Sequence, residues 1–203
     1  MKKLRNWICG IVATAVMLYL FVSLWQHAWL EENLIRLHVI AASDSDSDQA
    51  LKLQVRDQVL TYLSELPDQP ESRKEAQEIL QREQLAICQE AEKILTAAGC
   101  GDSVTVLLGE ERYPVRHYDT FSLPSGVYYS LRIVIGEGEG KNWWCVAFPQ
   151  LCMPENGMDF ETAAAAGGFP ETLSQTLVSS EQPQIRFFLL DWIGRLEILL
   201  RDL

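Results

Sequence analysis

Carboxylates alternate in the run Asp44-x-Asp46-x-Asp48, which matches the first three ligand positions of a calcium-binding loop. Such a loop next requires a glycine and later a bidentate glutamate, but those places hold Gln49 and Val55. The alternative is a helix N-terminus, where Ser and Asp side chains accept hydrogen bonds from free backbone N–H groups. The sequence favours this helix start over a metal site, and contact with a partner is a third use of the same loop.

Three glycines, Gly136, Gly138 and Gly140, have the spacing of a phosphate-binding loop. A dinucleotide-binding fingerprint needs a helix directly after its glycines, whereas residues 143–146 (WWCV) continue as a strand. The two acidic residues between the glycines would also repel phosphate. We therefore predict a flexible hairpin at this place and no bound cofactor.

A cysteine nucleophile with a histidine base would require Cys145 or Cys152 to lie near His38 or His117. No local signature of such an enzyme accompanies these residues, and no HExxH, GxSxG or paired-carboxylate pattern is present. We predict no catalytic residues, with an extracytoplasmic hydrolase as the alternative. Cys145 and Cys152 also bracket a short proline-containing loop and could form a disulfide after export.

The adjacent residues Trp143 and Trp144 are predicted to point to opposite faces of their strand, because side chains alternate along a strand. One tryptophan can enter the core, whereas the other must face water, a further part of the domain or a partner. Exposed tryptophans are enriched at binding hot spots. We predict that a partner protein contacts both tryptophans together with Asn142, Asp44 and Asp46; the alternative is that the domain itself covers both tryptophans.

An uncharged stretch from Trp7 to Gln26 follows three basic residues near the amino terminus. About 20 helical residues at ~1.5 Å each span the ~30 Å hydrocarbon core of a bilayer. The basic flank stays in the cytoplasm, so the remainder of the chain is exported. A cleaved signal has a shorter apolar run of ~7–15 residues and a small-x-small cleavage site. A cut after Ala28 would place Gln26 two residues upstream, where a small residue is required. We predict an uncleaved anchor, with a cleaved signal and a buried core helix as alternatives.

The charge of the chain limits the partners of its exported part. The chain carries 17 basic and 28 acidic residues, a net charge of −11, and Lys2, Lys3 and Arg5 precede the apolar stretch. The exported part is therefore more acidic than the whole chain. Such a surface disfavours nucleic acid and anionic lipid as partners.

The periodicities beyond the anchor predict an α+β domain. A strand at 34–41 is followed by helices at about 47–66 and 72–98, the second beginning with the capping box Ser72-x-x-Glu75. The period then changes to two, with strands predicted near 104–108, 113–118, 127–136 and 143–148. This order predicts a two-layer domain, in which a mainly antiparallel sheet carries the two helices on one face and follows the transmembrane helix.

The composition divides the chain into four parts. They are a cytoplasmic stub with the transmembrane signal-anchor at 1–30, an extracytoplasmic domain at 31–152, a flexible Ala/Gly/Ser-rich linker at 153–184 and an amphipathic helix at 185–203. The apolar face of the last helix is expected to dock on the domain's own sheet, with a membrane or a partner's groove as alternatives. This face comprises Ile185, Phe188, Leu189, Trp192, Ile193, Leu196 and Leu200.

Two unusual blocks stand out in the exported part. Their segments are Ile35–Ser45 (IRLHVIAASDS), Asp48–Asp57 (DQALKLQVRD), Leu123–Tyr128 (LPSGVY), Gly136–Val146 (GEGEGKNWWCV) and Phe148–Cys152 (FPQLC). Over roughly residues 34–152, they resemble the stage II sporulation protein R family. The pattern of this family usually has Asn where Ala42 stands and Pro where Gln150 stands, which are mild departures.

The resemblance implies a signal rather than an enzyme. It implies a protein made in the forespore of an endospore-forming bacterium and exported, anchored or released, into the space between forespore and mother-cell membranes. There it would activate a membrane-bound aspartic protease of the mother cell, which cleaves the precursor of sigma factor E. The apolar stretch and the acidic charge add membrane contact through the N-terminal helix and no nucleic-acid partner to this prediction, and we expect no small-molecule substrate or cofactor. A calcium- or envelope-binding module is a further alternative.

Overall fold

Helices and strands follow one another in an α+β order. The computed structural model describes residues 2–149, 151, 160–178 and 185–201. The helices are α1 (Lys2–Asn33), α2 (Asp46–Glu65), α3 (Arg73–Ala97), α4 (Phe160–Ala166), α5 (Glu171–Leu177) and α6 (Ile185–Leu200). The strands are β1 (Ile35–Ile40), β2 (Val104–Tyr113), β3 (Arg116–His117), β4 (Ser122–Leu123), β5 (Gly126–Ile135) and β6 (Asn142–Phe148). The predicted α+β class with an N-terminal apolar helix is confirmed.

The main sheet has four strands in the order β2-β5-β1-β6. Strand β1 lies inside the sheet, parallel to β5 and antiparallel to β6, while β2 runs antiparallel to β5. Strands β3 and β4 form a separate two-stranded sheet. The main sheet is therefore mainly antiparallel, as the sequence predicted, with one parallel pair at its centre.

Helices α2 and α3 cover one face of the main sheet, as predicted. Each begins at a serine N-cap, since Ser45 accepts the N–H of Asp48 at 3.2 Å and Ser72 accepts the N–H of Glu75 at 3.3 Å. These caps satisfy backbone donors that the first helical turn leaves free. The buried core on this face includes Leu37, Val39, Val55, Val59, Ile87, Ala91, Leu95, Leu131 and Ile133.

The opposite face of the sheet is covered by both ends of the chain, which makes a further layer beyond the predicted two. This second core contains Leu30, Leu34, Tyr113, Phe121, Leu123, Tyr128, Val146, Phe160, Ala164, Phe169, Leu173, Leu177 and Leu190. Residues 160–178 were predicted as flexible linker from their composition, but they form α4 and α5. Burial of their scattered phenylalanines and leucines stabilises these two short helices. The rest of the predicted linker lies outside the described residues.

The glycine-rich segment 136–141 is not the hairpin that the sequence predicted. Strands β5 and β6 both pair with β1, which lies between them, so the segment crosses the end of β1. Gly136 and Gly138 adopt positive φ angles of 56° and 68°, which glycine tolerates without steric strain. The segment is thus a structured crossover rather than a flexible turn.

Helix α1 is, within the described part of the chain, the helix that is long and apolar enough to cross a bilayer. Its side chains are exposed almost throughout the apolar stretch, which argues against the alternative of a buried core helix. The last third differs, because Ser23, Gln26, His27 and Leu30 are buried against the domain. The helix therefore continues from the apolar stretch into the folded part.

Helix α6 docks through a different face from the one expected. Leu190, Asp191 and Gly194 face the domain, whereas Phe188 and Trp192 of the predicted apolar face are 68% and 59% exposed. Polar contacts explain this orientation, since the Ser125 hydroxyl donates to the Asp191 carboxylate at 2.8 Å. Of the apolar face of α6, Phe188, Trp192, Leu196 and Leu200 are left exposed.

Candidate partner-binding site

The two blocks that stand out in the sequence meet where β1 pairs with β6. In this antiparallel register, His38 lies opposite Trp144 and Ile40 lies opposite Asn142. The predicted contact residues at the start of β6 therefore lie beside the end of β1, where the run of Ser and Asp residues begins. We refer to Asp44, Asp46, Asn142, Trp143 and Trp144 as the contact surface.

Hydrogen bonds fasten the crossover segment 136–141 to the Ser/Asp run. The N–H of Gly140 donates to the carbonyl oxygen of Ala41 at 2.9 Å, and the N–H of Lys141 donates to Asp44 Oδ1 at 2.8 Å. From α2, Lys52 Nζ donates to the carbonyl oxygen of Lys141 at 3.0 Å. The two blocks consequently form one surface with a fixed backbone.

The three carboxylates of the Ser/Asp run do not converge. Asp44 accepts from the backbone of Lys141, Asp48 accepts from the Ser43 hydroxyl, and Asp46 is exposed in the first turn of α2. A calcium loop needs its carboxylates directed at one point. This geometry fits the predicted helix start and leaves Asp44 and Asp46 exposed at the surface.

The two tryptophans point to opposite faces of the sheet, as predicted from the alternation along a strand. Trp143 packs against the core under α2, where the guanidinium carbon of Arg56 lies 4.7 Å from its ring centroid. Trp144 packs against the second core and stacks on His38, with ring centroids 3.6 Å apart. Both rings are half-buried. Each therefore contributes to folding and still presents part of its surface.

His38 connects the contact surface to a half-buried carboxylate, that of Glu111. Its Nδ1 lies 2.8 Å from Glu111 Oε1, and its Nε2 lies 2.9 Å from Asn142 Oδ1. Burial raises the pKa of Glu111, but the hydrogen bond and charge of His38, together with Ser130 and Arg132, outweigh it, so that this pKa lies below its usual value. The network holds the exposed amide of Asn142 in one position.

The guanidinium of Arg36 is fully buried beneath the same strand pair. Its Nε donates to the carbonyl oxygen of Cys145 at 2.9 Å and its Nη2 to the Tyr118 hydroxyl at 3.0 Å. The rings of Tyr113 and Tyr128 lie 4.3 and 5.1 Å from its central carbon. Aromatic faces stabilise this cation, and they fix β1 against the second core.

The predicted cysteine and histidine candidates do not form a catalytic pair. Cys145 is fully buried on the α2 side of the sheet and is disulfide-bonded, so it offers no thiolate. Cys152, its predicted partner, lies outside the described residues, and this pairing stays a prediction. His38 lies on the other face, and His117 Nδ1 is 2.8 Å from the Ser122 hydroxyl in the small sheet.

One cavity and one cluster of polar side chains lie away from the contact surface. A cavity of about 510 Å³ opens at the far end of β6, where Phe148 and Pro149 meet Leu66 and Gly167. A cluster of three potential metal ligands, His27, Glu31 and Glu197, lies where α1 meets α6. The first two of these are four residues apart on one helix face, a spacing that sequence inspection could have found and that our predictions missed.

Comparison with known proteins identifies the family. The profile of the stage II sporulation protein R family matches residues 31–157, which is more than half of the chain. The chain belongs to the stage II sporulation protein R family. Stage II sporulation protein R of Bacillus subtilis (strain 168) is 28% identical over 185 residues, which cover 82% of this chain and 83% of that relative. No solved structure matches.

The region that matches the stage II sporulation protein R family contains the whole contact surface. It begins at the end of α1 and includes all six strands. Membership of this family supports a signalling role at stage II of sporulation. The resemblance to this family that the two sequence blocks indicated is thereby confirmed.

Proposed function

We propose that this protein is an exported signal that activates a membrane-bound aspartic protease of the mother cell, which then processes the precursor of sigma factor E. The observation that carries this proposal is the contact surface, where both family blocks converge and Asp44, Asp46 and Asn142 are exposed. A ligand of this kind acts by binding the active conformation of its receptor more tightly than the inactive one.

The membrane helix supports the same proposal. An export signal or anchor delivers the domain from the forespore into the space between the two membranes. Because His27 and Leu30 at the end of α1 are buried in the folded part, we propose that the helix is an uncleaved anchor. The protein would then work at the surface of the membrane that exports it.

Reconstitution of the partner protease with its precursor substrate tests this function. We expect precursor cleavage to require the full-length protein, and to fall about tenfold or more with Asn142→Ala or Asp46→Asn at subsaturating protein, because contact residues at hot spots contribute at least about 1.4 kcal/mol each. Glu78→Gln, exposed on α3, serves as the control and should leave cleavage unchanged.

Two results would contradict the proposal. Equal cleavage with and without the protein would remove the activating role. Cleavage of the precursor by this protein in the absence of the protease would instead make it the enzyme. Loss of activation by Glu78→Gln to the same degree as Asn142→Ala would refute the assignment of the contact surface.

A further inference from the structure

Three side chains from two helices converge beside the start of β5. His27 and Glu31 lie one turn apart on α1, and Glu197 lies on α6. One ligand atom from each lies within 4.8 Å of the others. His27 Nδ1 is 3.8 Å from Glu31 Oε2 and 3.9 Å from Glu197 Oε2. This is a mixed nitrogen and oxygen donor set, well away from the contact surface.

The ring of His27 is oriented for binding at Nδ1. The side chain is 3% exposed, and its Nε2 lies 3.0 Å from the carbonyl oxygen of Ser125. A carbonyl oxygen only accepts, so Nε2 carries a proton, and in the neutral ring Nδ1 then carries the lone pair. Among the described residues Nδ1 makes no hydrogen bond, and it faces the two carboxylates.

In each carboxylate one oxygen accepts a hydrogen bond, and the second oxygen is directed at His27. Glu31 Oε1 accepts the N–H of Val127 at 2.7 Å. Glu197 Oε1 accepts from the guanidinium of Arg201 at 2.8 and 3.0 Å. Outer hydrogen bonds that orient every ligand are typical of metal sites, where a histidine donates its second nitrogen to a backbone carbonyl.

Small residues make room for this arrangement. A Cβ at Gly194 would lie 2.6 Å from His27 Nε2, and a Cβ at Gly126 would lie 2.7 Å from Glu31 Oε1. Both are closer than real Cβ contacts allow, so side chains at these positions would displace the ligands. Gly194 thereby lets α6 approach α1 closely enough for Glu197 to reach the cluster.

We propose that His27, Glu31 and Glu197 bind a zinc ion that fastens α6 to the end of the membrane helix. One imidazole nitrogen and two carboxylate oxygens belong to the ligand set of Zn²⁺, with a fourth position open for water. Zinc bonds of about 2.0–2.1 Å place tetrahedral ligands roughly 3.4 Å apart. The atoms need to close by about half an ångström from their present 3.8 and 3.9 Å separations.

Zinc binding to the full-length protein in detergent micelles tests this inference. The protein is stripped with a chelator, the chelator is removed, and zinc is then added and its unbound excess washed away. We expect one zinc ion per chain by elemental analysis. We also expect zinc at about one hundred times its dissociation constant to raise Tm by roughly 5 °C or more, because a ligand that binds only the folded state stabilises it.

Matched variants distinguish this site from adventitious zinc binding. Glu197→Gln keeps the shape of the side chain and an oxygen that can accept from the guanidinium of Arg201, so its metal-free Tm should stay close to that of the wild type. Zinc should nevertheless give it no Tm shift, and the same holds for Glu31→Gln. Glu32→Gln, exposed on the next residue of α1, should keep the full response.

Three outcomes would overturn the inference. They are the absence of bound zinc in the wild type, a zinc-induced shift that survives both Glu31→Gln and Glu197→Gln, and loss of the shift in Glu32→Gln. Because precursor cleavage is not measured here, failure of this test leaves the proposed function standing.

Discussion

At the scale of single residues, one polar chain crosses the main sheet from edge to edge. Glu111 on β2 lies 3.5 Å from Arg132 on β5 and 2.8 Å from His38 on β1, and His38 reaches Asn142 on β6. The exposed amide at the end of this chain belongs to the contact surface. Its position therefore depends on a half-buried carboxylate at the opposite edge of the sheet.

Replacement of Glu111 by Gln should change how stability depends on pH. The folded-state pKa of Glu111 lies below its ordinary value of 4.5, so the wild type gains stability from this group above about pH 5 and loses it as pH falls through the folded pKa. We expect Glu111→Gln to lower Tm at pH 7 and the difference from the wild type to shrink towards pH 3.

Thermal unfolding of the full-length protein between pH 3 and pH 7 checks this prediction. Glu78→Gln is the control, because the contact of Glu78 with Lys74 is exposed and surface ion pairs contribute little. A difference between wild type and Glu111→Gln that stays constant over this range would contradict the proposed role of the ionised carboxylate.

Only part of this residue-level arrangement could be predicted from the sequence. The opposite directions of Trp143 and Trp144 follow from the geometry of a strand, which is local. The partners of His38 are not local, because Glu111 reaches it across an intervening strand. Burial of Arg36 and His38 could not be predicted either, since the rings that pack on them, those of Tyr113, Tyr128 and Trp144, are distant in sequence.

At the scale of elements, the crossover between β5 and β6 depends on close backbone approach. A Cβ at Gly140 would collide with the carbonyl group of Ser43. Local signals predicted the starts of α2 and α3, because N-caps act within one turn. They could not predict that β1 lies between β5 and β6, because strand pairing is set by contacts distant in sequence.

Gly140→Ala should destabilise the fold, whereas Gly101→Ala should not. The first substitution forces the crossover away from the Ser/Asp run, and we expect a loss of about 1–3 kcal/mol, comparable to that from overpacking a core. A Cβ at Gly101 meets nothing within 4 Å, and we expect a change of less than about 1 kcal/mol.

Urea unfolding of both variants measures the two effects. Equal stabilities for Gly140→Ala and Gly101→Ala would show that the crossover does not need its close contact. The prediction also implies that activation of the partner falls for Gly140→Ala, because the loop carries Lys141 and Asn142 at its end.

At the scale of the whole molecule, the two ends of the chain complete one core. Leu30 of α1 and Leu190 of α6 are both fully buried on the second face of the sheet. Hydropathy predicted the membrane helix, but not that its end belongs to the domain. An Ala/Gly-rich composition likewise concealed α4 and α5, whose few large apolar residues suffice to dock them.

Two deletions should separate the membrane role of α1 from its folding role. Removal of residues 2–22, which are exposed apart from the half-buried Tyr19, should give a soluble protein whose Tm is close to that of the full chain. Removal of residues 2–33 also removes Leu30, and loss of one such buried leucine costs about 2–5 kcal/mol. Circular dichroism and sedimentation measure folding and solubility, and equal Tm values for the two proteins would contradict this division.

Only Leu34 separates the end of α1 from the beginning of β1. Because no flexible linker joins the helix to the sheet, the domain cannot rotate freely relative to the helix. The tilt of the helix therefore sets the orientation of the domain relative to the bilayer. If the anchor is retained, the contact surface can be carried no farther from its own membrane than the thickness of the domain. Under the proposed function, the domain then reaches a receptor in a facing membrane only when the gap between the two membranes is narrow. Signalling would therefore require that the two membranes lie close together.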